Sequence, residues 1–412
     1  MRILYLSQII PYPTDAGAKI RIYHVLQYLA AAGHDVTLVA FRRENDGEQA
    51  IAHLRQYCRE VHTVLMQRSA RQDAQHLVAS ILRGLPFLIA RDQVQEMYRL
   101  VDRLTQTQPF DAVHADQLWM AQYALSTRRR AGATQPGKLV LDQHNAMFLI
   151  PQRLAASLSN PLKRAILHRE ARRLSAYERD TCRQFDAVAW VSEEDRQAVF
   201  NSAANGHRLN ATATHTVIPI CVDPDSKPPI SRKANACRVT FLGGLHWPPN
   251  AEGVTWFYEN VWPTVRRAAP QAMLTIIGKD PPPPLAHAAR DDATVDVTGY
   301  VDDPLPYLQE TAAFIVPLSA GGGMRVKIID AWSWALPIVS TRIGAEGVCY
   351  EDGHNLLIAD QADDFAAAVL RLLQQPQLAT KLAANGRATV TNHYDWRAVY
   401  RAWDAIYDPS NQ

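Results

Sequence analysis

The chain has 412 residues, 47% hydrophobic and 20% charged, enough apolar material for two or three globular domains. A net charge of +2 gives no field that would select nucleic acid or an acidic surface. Cys58, Cys182, Cys221, Cys237 and Cys349 are odd in number and never in Cys-x-x-Cys spacing, which argues against disulfides or a zinc site and for a reducing cytosol.

The opening MRILYLSQIIPYP meets proline too soon for a secretory leader and reads as a first strand, residues 3–6. Nowhere does an apolar run reach the roughly 18 residues that a membrane span needs. Further strands are expected at 36–40, 61–65, 112–115, 139–142, 187–191 and 217–220. Helical segments separate them, among them 69–108, interrupted at 84–86, and 151–185. Ser192 with Asp195 spells a capping box. The proline- and charge-rich stretch 221–237 then reads as a linker, and its Asp223-Pro224-Asp225 as a solvated turn. Strand and helix resume with strands at 239–242, 273–277, 294–298, 314–318, 338–341 and 355–358. Helices close the chain. This alternation implies an α/β protein of two Rossmann-like, doubly wound parallel-sheet domains. No G-x-G-x-x-G occurs, so a nicotinamide or flavin site is not indicated.

One stretch carries most chemistry, FIVPLSAGGGMRVKIIDAWSWALPIVST at 314–341. It reads as strand, glycine run, helix and strand, a parallel βαβ unit. Glycines at a helix mouth let backbone N–H groups approach an anion. Asp330 follows Gly323 by seven residues, two helical turns, and returns to nearly the same face. An anion site with a carboxylate further along suits a phosphate and a vicinal diol, as in a nucleoside diphosphate.

Residues 151–173 set six basic side chains, Arg153, Lys163, Arg164, Arg169, Arg172 and Arg173, against Glu170, with Leu154, Leu158, Leu162 and Ile166 every four residues. An amphipathic patch on anionic lipid would have this pattern. So would a helix that packs its leucines on the core, and that simpler reading is preferred.

Eight segments in order resemble GT-B glycosyltransferases of the large retaining family 4: PYPTDAGAKIR (11–21), DAVHAD (111–116), LDQHNAM (141–147), AVAWVSEEDR (187–196), FLGGLHWPPN (241–250), IIGKDP (276–281), VTGYVDD (297–303) and VPLSAGGGMRVKIIDAWSWALPIVST (316–341). The resemblance covers nearly the whole chain. It implies two Rossmann-like domains facing a central cleft, with an acceptor-binding domain at 1–220, a nucleotide-sugar domain at 238–390 and a C-terminal helix, 391–412, crossing back to the first. It further implies transfer of a hexose-type sugar from a nucleotide diphosphate to an acceptor hydroxyl, with retention. Such transfer uses front-face attack without a protein nucleophile, and no metal or other cofactor is expected. The acceptor classes are a sugar, a small molecule or a lipid-linked glycan; nucleic acid is not expected. The place is the cytoplasm, with peripheral membrane contact as an open alternative.

Residue by residue, the resemblance assigns the donor to Gly17, Gly243, Gly244, Gly278, Tyr300, Val301, Gly321, Gly322, Gly323, Met324, Arg325, Val326, Lys327 and Asp330. Asp330 stands where the family places the second acid of a Glu-x7-Glu pair, on the ribose. Gly322 stands in place of the first acid, a departure that bears on sugar recognition. The acceptor side takes Asp15, His114, Asp116, His144 and Asn145, with Asp116 and His144 as candidate proton-handling groups. Relatives carry an arginine and a lysine in the loop after the strand at 239–242; here that loop, 243–250, has neither. At 100° per residue Lys327 falls within about 60° of both Gly323 and Asp330, and Arg325 on the far side, so Lys327 is the expected counter-charge for the leaving diphosphate. A sugar-nucleotide epimerase and a non-catalytic glycan- or partner-binding scaffold are the rival readings.

Overall fold

The computed structural model describes residues 1–14, 17–44, 46–128, 136–158, 160–201 and 213–407. The chain forms two compact units, Met1–Cys221 together with Trp396–Gln412, and Val222–Asp395.

The first unit holds β1 (Arg2–Ser7), β2 (Asp35–Arg42), β3 (Glu60–Leu65), β4 (Ala112–Asp116), β5 (Lys138–Gln143), β6 (Ala187–Trp190) and β7 (Thr214–Val217). They pair in the order β3-β2-β1-β4-β5-β6-β7, and each pairing is parallel. Helices cover both faces of such a sheet, so its strands are continuous apolar runs such as Ile3-Leu4-Tyr5-Leu6, wholly buried. Strand order reverses between β1 and β4. Loops leaving the carboxyl ends there diverge and open the crevice in which α/β sheets bind ligands.

The expected strand at 217–220 lies earlier, at Thr214–Val217. Ile218 and Ile220 are buried for another reason: the guanidinium of Arg21 takes the carbonyls of Ile218 and Pro219, at 2.7 and 3.0 Å. The C-terminal helices Trp396–Val399 and Ala402–Tyr407 belong to this unit. Tyr400, Trp403, Ile406 and Tyr407 join Ile3, Tyr5 and Leu38 in one core cluster, and Lys138 Nζ donates to the Ile406 carbonyl at 2.6 Å.

The second unit pairs β8 (Arg238–Leu242), β9 (Met273–Ile277), β10 (Val295–Gly299), β11 (Thr311–Val316), β12 (Ile338–Ser340) and β13 (Leu357–Ile358) in the order β10-β9-β8-β11-β12-β13, again all parallel. Its switch point lies between β8 and β11. β11 begins at Thr311, whose hydroxyl bonds that of Thr240 at 2.7 Å, and ends at Val316 because Pro317 has no N–H to extend the ladder.

Residues 222–237 are part of this unit rather than a free linker. Arg387 donates to the carbonyls of Pro224 and Lys227 at 2.8 and 2.9 Å, while the N–H groups of Ile230 and Lys233 reach Trp334 O and Gln309 O. The Asp223-Pro224-Asp225 turn is accordingly ordered: Asp223 Oδ1 caps the N–H of Asp225 at 3.0 Å, and Pro224 is buried. Among the described residues no helix is long and apolar enough to cross a membrane.

Candidate active site

In the second unit, the loops after β8 and β11 meet at the switch point. Gly278, expected on the donor, is required for packing: a Cβ there would sit 2.0 Å from the Gly243 carbonyl oxygen. That contact brings the turn after β9 onto the loop after β8, joined by Gly243 N–H to Ile277 O and Leu245 N–H to Lys279 O, both 2.9 Å.

The helix after the glycine run begins at Val326, three residues later than a glycine-fronted helix would. The cause is Arg325. Its buried guanidinium folds back, with Nη1 donating to the carbonyls of Gly322 and Gly323 at 2.7 and 3.0 Å, and Nε to Ile343 O at 3.2 Å. Glu346 lies 3.5 Å from Nη2. Arg325 therefore shapes the loop from within. Gly321 in the left-handed region and buried Met324 complete the wrap, while Gly322 is only partly buried.

Lys327 points into the space at the loop after β8. Its ammonium donates to Asn250 Oδ1 at 2.7 Å, stands 4.4 Å from the Phe241 ring centroid, and would lie 2.9 Å from a Cβ at Gly243. Burial, and then the like charge of Arg325, lower its pKa to about 7. Asp330 lies one turn further on the same helix, and its Oδ1 accepts from Lys227 Nζ at 2.5 Å. The Lys227 ammonium also stands 5.1 Å from the centroid of the Trp334 ring. Asn250 N–H₂ holds Gly244 O at 2.7 Å. Tyr300 is exposed, with Lys279 Nζ 4.3 Å over its ring, and Val301 beside it is partly exposed.

In the first unit, charge gathers at the carboxyl ends of β4 and β5. Asp142 accepts from Arg21 Nε and Nη2 at 2.6 to 2.9 Å, a fully buried bidentate pair. His144 Nε2 lies 2.9 Å from Asp116 Oδ1 and 3.5 Å from Asp142 Oδ2, close but off the hydrogen-bond line. Burial disfavours the charged ring of His144, yet Asp116 and Asp142 outweigh it and raise its pKa to about 9. Burial raises the pKa of Asp116 despite His144. Asp142 is held well below the carboxylate range: Arg21 and His144 outweigh its burial.

The loop that carries His144 is pinned from below. Glu178 accepts from Gln143 Nε2 and from the N–H groups of Met147 and Phe148, at 2.8, 3.0 and 3.4 Å. Asp195 accepts from Ala146 N–H and from the Ser192 hydroxyl, both at 2.7 Å, while its own N–H donates to that hydroxyl at 3.1 Å, the N-cap half of the expected capping box. Gln117, directly after Asp116, has φ 65°, a strained value for a non-glycine residue that the strand-to-helix turn imposes beside the cluster.

Asp116 and His144 thus come together. His114 does share a strand with Asp116, but it faces the core: it has no exposed surface, stacks on Tyr5 at 4.1 Å, and bonds the Tyr407 hydroxyl through Nδ1 at 2.5 Å. It has no acceptor-facing surface in this unit. Gly17 opens the helix Gly17–Ala31, one turn before Arg21, and Asn145 is partly exposed next to His144. Asp15 lies outside the described residues.

Asp116, Asp142 and His144 have the spacing of a cation site. Their chemistry does not fit one. Both Asp142 oxygens are taken by Arg21, whose guanidinium already sets a buried positive charge where a cation would have to sit.

Sequence reasoning passed over Arg21, Asp142, Glu178, Asn250 and Lys227. A signal existed for the first two: Arg21 sits between Ile20 and Ile22, and Asp142 follows Leu141, charges inside apolar runs. Such charges are buried with partners or not buried at all.

Residues 236–375 match the family described as glycosyl transferases group 1. A 44.6 kDa protein of the cps region of Klebsiella pneumoniae is 25% identical over 409 residues, 97% of this chain and 98% of that protein. Among solved structures, sucrose-phosphate synthase from Thermosynechococcus elongatus superposes with a TM-score of 0.69 at 15% identity, covering 99% of this chain and 98% of its own. HepE of Anabaena, in complex with UDP and glucose, gives 0.68 at 14% identity with 99% of each chain covered. Two all-parallel doubly wound sheets with a group 1 match in the second make this chain a glycosyltransferase of GT-B fold.

Proposed function

We propose that the protein transfers a hexose-type sugar from a nucleoside diphosphate donor to an acceptor hydroxyl, with retention and without a metal ion. The observation that carries this reading is the pairing of Lys327 and Asp330 on one face of the helix Val326–Ser333, one turn apart, at the carboxyl ends of β8 and β11. A diphosphate needs positive charge as it departs, and a ribose presents two hydroxyls to a carboxylate. Lys327 and Asp330 supply these, and the N–H groups of the glycine loop add donors to the phosphate. Lys327 takes the part that a metal ion or a pair of basic residues would otherwise fill. HepE binds UDP, and its fold likeness makes a uridine donor the first to try.

On the acceptor side the reading assigns His144, protonated at neutral pH, to orient the acceptor by donating a hydrogen bond. Asp116 is a positioning residue that keeps the ring charged and aimed. The leaving phosphate, not a protein base, receives the acceptor proton. Quantifying turnover of UDP-sugars with an acceptor panel, next to the same donors alone, tests the reaction type. Conversion of a donor to its epimer without acceptor would overturn the transferase reading.

A further inference from the structure

The sequence favours a helix across 151–173 that packs its leucines inward. The structure departs from that at two positions. Leu162 and Ile166 are 70% and 56% exposed, and on the helix Ala70–Arg83 Leu77, Val78, Ile81 and Leu82 are 46%, 57%, 51% and 81% exposed. Six of the ten large apolar side chains that the described residues leave exposed therefore lie on two helices. These helices touch: Arg173 Nη1 donates to the Ser80 carbonyl at 3.1 Å. Leu162, Ile166 and Arg173 recur at i, i+4 and i+11, so the face of Pro161–Cys182 that meets its neighbour is the one that carries the exposed pair. On the neighbour, Leu77, Val78, Ile81 and Leu82 fall at i, i+1, i+4 and i+5, a single stripe.

Charge says what covers this surface. Lys163, Arg164, Arg169 and Arg172 are exposed along one helix, and Arg71 and Arg83 stand at the two ends of the other. Of the acids among them, Glu170 is turned inward and accepts from Leu88 N–H at 3.1 Å, and Asp73, in the first turn of Ala70–Arg83, is partly buried. Basic side chains with long stems around an apolar stripe suit a layer that is negative outside and apolar beneath. A second copy related by a two-fold axis would instead meet its own positive charge.

We propose that these two helices form the surface by which the protein rests on an anionic lipid layer. The helix Pro161–Cys182 bears the lipid-facing pair near its start and Glu178, the anchor of the His144 loop, 16 residues later, about 24 Å along the axis. One rigid element thus links the surface to the acceptor-side loop. The proposal stands on exposure and charge alone and does not depend on the donor reading.

Co-sedimentation of the full chain tests it, with vesicles of phosphatidylcholine alone or of equal parts phosphatidylcholine and phosphatidylglycerol. Binding is expected to the anionic vesicles, weakening with salt, and falling about fivefold for each basic residue removed in Arg164→Gln and Arg169→Gln. Leu82→Glu with Ile166→Glu is expected to abolish it without changing the melting temperature, since both side chains face solvent. Absence of binding to anionic vesicles, or equal binding to both kinds, would overturn the proposal. So would a dimer that Leu82→Glu dissociates, which would assign the surface to a second copy.

Discussion

The ammonium of Lys327 lies 2.7 Å from Asn250 Oδ1, so the helix after the glycine run and the loop after β8 share one partly buried positive charge. Burial and Arg325 lower that charge to a pKa of about 7, the condition under which an incoming diphosphate gains most from it. Lys327→Met is expected to lower kcat about a hundredfold and donor affinity less, because the charge matters most as the sugar bond breaks. Wild-type turnover in the variant would place the counter-charge elsewhere.

The same group predicts a pH dependence. Above about pH 7 free Lys327 loses its proton, and a bound diphosphate must restore it. UDP affinity is expected to fall by up to about tenfold per pH unit there, and to flatten in Lys327→Met. Stability runs the other way. A lysine with a lowered folded pKa binds fewer protons folded than unfolded, so its contribution to stability rises with pH between about 7 and the unfolded value. Calorimetric titration from pH 6 to 9 (roughly two units above the transition) checks the binding part.

In the first unit the sign reverses. His144 has its pKa raised to about 9, so its stabilising interaction is fully present below the unfolded value near 6.5 and is lost as pH rises through about 9. The unfolding free energy of the wild type should fall over that window, by an amount on the order of 1–3 kcal/mol, relative to His144→Gln, and its melting temperature with it. Parallel melting curves for the two would remove the charged ring from the account.

Asp330 is met by Lys227 at 2.5 Å, so a ribose must compete with a resident cation. Asp330→Asn keeps the shape and removes charge and an acceptor, and is expected to weaken donor binding by about 1–3 kcal/mol. A double-mutant cycle with Lys227→Met separates the ribose contribution from the effect of releasing the lysine. Unchanged affinity in Asp330→Asn would show that this carboxylate does not hold the donor.

Trp403, Tyr400 and Tyr407 are buried in the first unit's core although they lie at the far end of the chain. Trp403→Ala is expected to cost about 3–5 kcal/mol of that unit's stability. Denaturation followed by a probe in each unit would detect it, and a loss confined to the second unit would contradict the assignment.

The two sheets were legible because buried parallel strands are unbroken apolar runs, and runs such as ILYL and LTII hardly admit another reading. The errors lie where side chains replace backbone order. Ile218 and Ile220 mimic a strand because Arg21 satisfies their neighbourhood's carbonyls, and the helix after the glycine run starts late because Arg325 takes the carbonyls of Gly322 and Gly323. Lys327 and Asp330 could be placed together from helical period alone. The ring of Arg21, Asp142, His144 and Asp116 could not, since it joins β4, β5 and a helix 121 residues before Asp142. His114 shares a face of β4 with Asp116 by strand alternation, and alternation does not say that the core covers it.

The central claim is that the second unit binds a nucleoside diphosphate through Lys327 and Asp330 without a metal ion. Calorimetric titration of UDP, GDP and TDP into the full chain, with and without EDTA, tests it most directly. The account predicts binding of at least one of them, unchanged by EDTA and weakened in both Lys327→Met and Asp330→Asn. Binding that disappears on chelation, or that neither substitution alters, would contradict it.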